Sequence, residues 1–293
     1  MLKILTLSDA AIAGTENQET LTGTGANDII NSLEGDDTIA GQDGLDALDG
    51  GKGNDSLDGG SGDDVLLGKE NNDLLNGGKG GDLLNGGDGD DQLNGGNDND
   101  LLLGGQGSDR LNGNEGLDIL DGGAGNDRLR DTQGDSALYG NEGDDWLFTG
   151  MGNDTLYGEA GNDQAIANEG DDQLFGGLGD DNLDGGLGDD QLFGGEGDDL
   201  LTGGSGSDSF TGDSGSDRFM LATEGTDIIT DFTDGQDLLY LPETMAFEDL
   251  AIIQGEGDNA ANVLITFQSQ TLAVLNDVNV EGINQDDFAL SSL

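Results

Sequence analysis

Gly50-Gly51-Lys52-Gly53-Asn54-Asp55-Ser56-Leu57-Asp58 is a well-formed copy of the unit that decides the fold, and Gly185-Gly186-Leu187-Gly188-Asp189-Asp190-Gln191-Leu192-Phe193 is another. Working outward from either, the aspartate recurs every nine residues, without insertion or deletion, from Asp28 to Asp217. That step passes twenty-two positions, and only Ser136 departs from Asp. Two residues after each position stands an apolar side chain: Ile30, Ile39, Leu48 through Leu156, Leu174 through Leu201, Phe210 and Phe219, with Ala165 as the small exception. A short fixed period of this kind marks a solenoid, whose units cannot bury a core alone and must stack on their neighbours.

Six residues of glycine-rich turn followed by three of x-apolar-x predict a very short strand, its middle side chain inward and its flankers outward. One repeat then makes half a coil, and strands that pair come from residues 18 apart. The expected fold is all-β: a right-handed parallel β-roll solenoid of about 11 two-repeat coils over residues 23–220, roughly 50 Å long at the usual strand spacing. Upstream, Gly14-Thr15 leading to Glu19 and Leu21 reads as one more degenerate repeat, so residues 1–22 cap the first coil, or residues 1–13 are a plain tail. Residues 221–293 lose the period. Their apolar runs Leu238–Leu241, Leu250–Ile253, Val263–Phe267 and Leu272–Val278 predict a small antiparallel cap over the open edge of the last coil.

The chain carries 63 acidic against 8 basic residues, a net charge of −55, with 57 glycines and 32% apolar residues. Without the period these figures describe a disordered polyanion. With it, closely spaced carboxylates must be neutralised for the coils to stack. Hard divalent cations are the candidates, because aspartates and turn carbonyls form an all-oxygen shell. The absence of His and Cys removes the usual zinc, copper and iron–sulfur sites. Calcium fits better than magnesium, since it accepts six to eight oxygens in loose geometry while magnesium keeps much of its water.

The same inventory excludes a Ser-His-Asp triad, an HExxH zinc protease, a thiol nucleophile and any disulfide. Carboxylates that ligate ions are poor proton shuttles, and an open roll lacks a deep pocket, so no enzyme is expected. No nucleic-acid partner is expected. No apolar stretch is long enough to span a membrane, and Met1 to Ala13 make a poor secretory signal.

The Gly-Gly-x-Gly-x-Asp-x-Leu-x unit resembles the repeats-in-toxin family, the haemolysin-type calcium-binding nonapeptide repeat that forms a parallel β-roll, over residues 14–240. The resemblance implies an ion between equivalent turns of adjacent coils, held by the sixth-position Asp of both and by turn carbonyls. On that implication the ligands are Asp28, Asp46, Asp64, Asp82, Asp100 and Asp118 on one side, and Asp37, Asp55, Asp73, Asp91, Asp109, Asp127, Asp145, Asp163, Asp181, Asp199 and Asp217 on the other. Asp154, Asp172, Asp190 and Asp208 join them. Asp231 and Asp237, in a flank like the one closing many family members, hold one more ion. About 18 calcium ions are expected once the turn pairs containing Ser136 are set aside.

Departures from the unit mark weak sites. Ala26, Asn71 and Asp98 replace the fourth-position glycine, where Asn and Asp tolerate left-handed backbone best. The copy from Arg130 to Leu138 departs furthest, with Ser136 in the ligand position and Asp131-Thr132 for glycine, and Ala165 with Ala167-Asn168 extends the soft middle to residue 168.

The resemblance further implies a secreted, extracellular protein that folds on calcium, exported by type I secretion without an N-terminal signal. Asp286-Asp287-Phe288-Ala289-Leu290 to Leu293 either carries that export signal or finishes the cap. A structural or surface-associated role is the first reading. The alternative is an adhesin for a cell-surface or matrix partner, using Tyr139, Tyr157, Phe175 and Phe193, which the 18-residue spacing aligns on one outward face. Alternatively, these rings stack for support. Ala137, Thr155, Gln173 and Gln191 beside them lack the Thr ladder of an ice-binding face.

Overall fold

The computed structural model describes residues 11–242, 244–257 and 260–290. Residues 1–10 of the N-terminal segment and 291–293 of the C-terminal export candidate lie outside the described residues. The chain forms two compact units, Met1–Phe148 and Thr149–Leu293.

In the first unit, strands from Ala11–Ala13, Ile29–Asn31 and Ala47–Lys52 through Ala137–Glu142 build one parallel sheet, and those from Thr20–Thr22, Thr38–Asp43 and Ser56–Ser61 through Trp146–Phe148 build the other. Register follows the period: Leu48 pairs with Leu66 and Leu57 with Leu75. The inward side chains, Ile30 through Leu147, are all 2% exposed or less. The degenerate repeat completes a regular coil, with Ile12 opposite Ile30 and Leu21 opposite Ile39.

The second unit repeats this design from Thr155–Ala160 and Gln164–Glu169 onward, around Leu156, Ala165, Leu174, Leu183, Leu192, Leu201, Phe210 and Phe219. The roll then outlasts its nine-residue period. Phe210 pairs with Ile229 and Phe219 with Leu239, at separations of 19 and 20, so the extra residues are absorbed in the turns and the core column continues. The expected antiparallel cap is present as Leu250–Gln254, Val263–Phe267 and Gln270–Leu275. Its last strand lies parallel to Asp227–Ile229, and Phe288–Leu290 lies parallel to Leu238–Leu241, so the segment extends both sheets.

Strands are longer than the sequence pattern predicts. Most run six residues, as in Ser56–Ser61, through the first three positions of the next repeat, and the turn shrinks to the rest. First-position glycine permits this: in the six-residue strands it faces inward and is buried, so the ladder can continue past it, as it also does past the small Ala167. Where a larger side chain takes that position, at Ser32, Asp131 and Thr149, the preceding strands stop at three residues: Ile29–Asn31, Arg128–Arg130 and Trp146–Phe148.

Candidate metal centre

Each sixth-position aspartate ends a turn and enters a strand, which aims its carboxylate between coils. Asp64 Oδ1 accepts the backbone N–H of Asp46 at 2.7 Å, Asp73 that of Asp55 at 2.7 Å, and Asp55 that of Asp37 at 2.8 Å. In the second unit Asp181, Asp190, Asp199 and Asp217 take the N–H groups of Asp163, Asp172, Asp181 and Asp199 in the same way. The other oxygen is left over. Oδ2 of Asp37 and of every ninth residue to Asp127, and of Asp181, Asp190, Asp199 and Asp208, is buried without a hydrogen-bond donor. A buried carboxylate oxygen in that state needs a proton or a cation.

The surroundings supply the rest of an oxygen shell. A methyl group placed on Gly59 would lie 2.5 Å from Asp64 Oδ2 and 2.8 Å from the Gly77 carbonyl oxygen of the next coil. At Gly104 the corresponding carbonyl, Gly122 O, is at 2.5 Å, and at Gly176 it is Gly194 O at 2.6 Å. First-position glycine thus leaves a cradle where a carboxylate oxygen and a backbone carbonyl meet. Among the described residues no three carboxylates converge on a metal-holding point, so a cation here depends on backbone carbonyls. The donors are all hard oxygens, the set calcium prefers.

Every aspartate named from the sequence as an ion ligand is buried except Asp231, which is half-buried. Asp237 extends its column by accepting the Asp217 N–H at 3.0 Å. Asp231 stands aside from that ladder: its two oxygens accept the N–H groups of Gly212 and Asp213. Its place in the ladder's geometry is taken by Asp227, which the sequence reading missed and which accepts the Asp208 N–H at 3.2 Å. The signal was present, since Asp227-Ile228-Ile229 keeps the Asp-x-apolar spacing while the repeat before it is lengthened.

Burial dominates the electrostatics. Asp55 is raised to about 6, Asp64 to about 7 and Asp73 to about 8, the net of burial as the largest cause, the opposing N–H bond from the preceding coil, and the added push of neighbouring carboxylates. In the second unit Asp181 and Asp190 are raised to about 7 for the same reasons.

The Ser136 copy keeps a carboxylate by moving it. Asp131, in the first position, fills its own cradle: its Oδ2 accepts the Ser136 hydroxyl at 2.5 Å and its Oδ1 accepts the Thr132 N–H at 2.6 Å. Ser136 Oγ takes the Asp118 N–H at 3.2 Å, the bond an aspartate makes elsewhere. Asp118 is raised to about 7, chiefly by burial, with the Asp131 charge adding to it and the bond from the Asp100 N–H opposing it. Ser32 and Thr149 also fill their cradles, donating their hydroxyls to the carbonyls of Gly50 at 2.5 Å and Ala167 at 3.0 Å. Ser136→Asp alone sets two carboxylates against each other and is expected to lower stability by about 1–3 kcal/mol. Combined with Asp131→Gly, it is expected to recover the loss. Urea melts across that double-mutant cycle measure the coupling, and additive effects would refute the exchange.

A second ladder escaped the sequence reading. Fifth-position side chains accept the N–H of the following coil, the reverse sense of the sixth: Asp36 Oδ1 takes that of Asn54 at 2.9 Å, Asn54 Oδ1 that of Asn72 at 3.1 Å, and Asp171 Oδ1 that of Asp189 at 2.9 Å. Its signal was the run of Asn and Asp at fifth positions, masked by the charge they add to the neighbouring ligand.

The RTX calcium-binding nonapeptide repeat (4 copies) matches residues 14–48, 41–75, 67–102, 94–129, 121–156, 130–165, 157–192 and 184–219. A search of curated proteins returns no match. Among solved structures, the extracellular lipase LipA from Serratia marcescens is similar at 18% identity and a TM-score of 0.23, covering 82% of this chain and 40% of that chain. The chain spans less than half the length of that lipase. With the family model running through successive copies from residue 14 to 219, over the cradles just described, the chain belongs to the RTX calcium-binding nonapeptide repeat family.

Proposed function

We propose that this chain is a secreted, extracellular calcium-binding β-roll that folds on many calcium ions and then serves a structural or surface-associated role. The observation that carries the reading is the row of buried, donorless Asp Oδ2 atoms, which from Asp46 onward lie beside first-position glycines and, at Gly59, Gly104 and Gly176, beside the carbonyl of the next coil. The ligands are the sixth-position aspartates from Asp28 to Asp217, continued by Asp227 and Asp237; Asp231 is left to bind backbone. Calcium, when bound, supplies the positive charge that lets adjacent carboxylates remain ionised inside the fold. From Asp46 to Asp127 and from Asp181 to Asp208, one carboxylate oxygen faces the N–H of the preceding coil and Oδ2 is buried without a hydrogen-bond donor.

The filled cradles at Ser32, Asp131 and Thr149 make the figure of about 18 ions an upper one. Low cytosolic calcium would keep the chain extended for type I export, and calcium outside would bind only the folded state. Among the described residues no helix is long and apolar enough to cross a membrane. Equilibrium dialysis with radioactive calcium tests the reading. Binding of more than ten ions per chain, undisturbed by excess magnesium, is expected, about the number of open cradles. One or two ions, or equal competition by magnesium, would overturn it.

Adhesion through the aromatic row has weaker support. Tyr157, Phe175 and Phe193 stack face to face at 4.8 Å with planes within 9°, so the rings spend their faces on one another and offer outward edges. Tyr139 holds the equivalent position in the first unit and is half-buried.

A further inference from the structure

The eight basic residues of this chain are few enough to follow individually. Lys52 pairs with Glu70 and Lys69 with Asp49 on one sheet of the first unit. On its other sheet stand three of the four arginines, Arg110, Arg128 and Arg130, all exposed, and among the described residues none forms an ion pair. Arg110 and Arg128 are in direct register, a like-charge placement that weakens a sheet, and Trp146 is the next rung. One column over, Asn94, Asn112, Arg130 and Phe148 follow the same order. Asp58 stands in that column too, two rungs below Asn94 and four below Arg130.

The three arginines, Gln92, Asn94, Asn112 and Trp146 line a groove of about 320 Å³. Arg130 lies over the Phe148 ring, its Cζ 5.7 Å from the centroid, and Trp146 stacks on Phe148 at 5.4 Å. That stack holds the indole and the guanidinium in place. In a chain with 63 acids, leaving three arginines together and unpaired is the feature to explain.

We propose that this groove binds an anionic oligosaccharide. The guanidinium forks of Arg110 and Arg128, one strand spacing apart, suit carboxylate or sulfate groups carried on successive sugars. Trp146 offers a flat apolar surface to the C–H face of a sugar ring, and the Asn and Gln amides suit hydroxyls. The volume is that of a small-ligand site, whereas a protein partner or a second copy would need a much larger matching face.

The test uses the calcium-loaded full chain and four probes: an oligogalacturonate, a heparin-derived sulfated oligosaccharide, a neutral maltohexaose and an oligodeoxythymidylate. Binding of the oligogalacturonate, the sulfated chain or both is expected, and which of them binds names the anionic group. Arg110→Gln with Arg128→Gln should weaken it about tenfold or more. Gln92 already fills that column one rung away, so the variant should keep its circular dichroism spectrum and lose no stability. Trp146→Leu should weaken binding as well. Lys79→Gln, which removes an exposed charge from the same sheet outside the groove, should leave it unchanged. Glycan binding that survives the arginine substitutions would mean calcium bridging at the turns and would refute the site. Binding of the thymidylate alone, or dissociation of a self-associated form by the arginine substitutions with no glycan bound, would refute it equally.

Discussion

Stripped of divalent ions at pH 8, the chain is expected to lose its β structure, and acid alone is expected to restore it as the pH falls toward 6. Asp64, Asp100 and Asp109 are raised to about 7, Asp73 to about 8, and Asp82 and Asp91 to about 6, in each case chiefly by burial. Each group therefore binds its proton more tightly in the fold than in the coil, where the value is 3.8. The stability this contributes is complete below the coil value and is lost as the pH rises through the folded values. At pH 8 the ion-free roll holds rows of buried charge, at pH 6 much of that charge is gone, and the change is cooperative because neighbouring coils share it. Circular dichroism in chelator across this range measures it. Calcium competes with those protons, so its affinity should fall over the same window. A chain that stays folded in chelator at pH 8, or one equally unfolded at pH 5, contradicts the account.

Gly62→Val is expected to cost about 3 kcal/mol or more in saturating calcium, the largest effect of any single substitution in a turn of the first unit. Gly62 has φ +128°, its N–H donates to the Lys79 carbonyl at 2.7 Å, and a Cβ there would overlap the Gly44 carbonyl oxygen. A β-branched residue cannot enter that region without strain. Gly62→Asn should cost only about 1 kcal/mol, because the fold already accommodates Asn71 and Asp98 at fourth positions by moving φ to 79° and 74°. Urea melts of the two variants side by side provide the comparison. Equal costs would show that lost space, rather than backbone conformation, sets the penalty.

The period made most of the fold legible. An Asp-x-apolar step of nine fixes which side chains face inward, and Ile30 through Leu147 and Leu156 through Phe219 lie where that step places them. The left-handed tolerance expected of Asn71 and Asp98 is met, while Ala26 avoids positive φ. What stayed hidden depends on atoms approaching across coils. The period marks Ser136 as a lost ligand, but only the distance from Asp131 to Ser136 reveals that the carboxylate has changed position. Asp227 was concealed by the lengthened repeat, and strand length by the double role of the first glycine as turn former and inward-facing residue. The arginines were too few to register in a composition so acidic, and became conspicuous only when register placed them together.

The fifth-position ladder separates charge from shape. Its acceptor is a single Oδ1 atom, and asparagine and aspartate provide it alike: Asn162 receives the Asp180 N–H at 2.8 Å, and Asp180 receives the Asp198 N–H at 2.9 Å. Exchanging one for the other preserves every bond of the ladder and changes the net charge by one. A lineage of such rolls can therefore drift from strongly acidic to nearly neutral, adapting to brine, fresh water or an anionic surface, without any coil having to refold along the way.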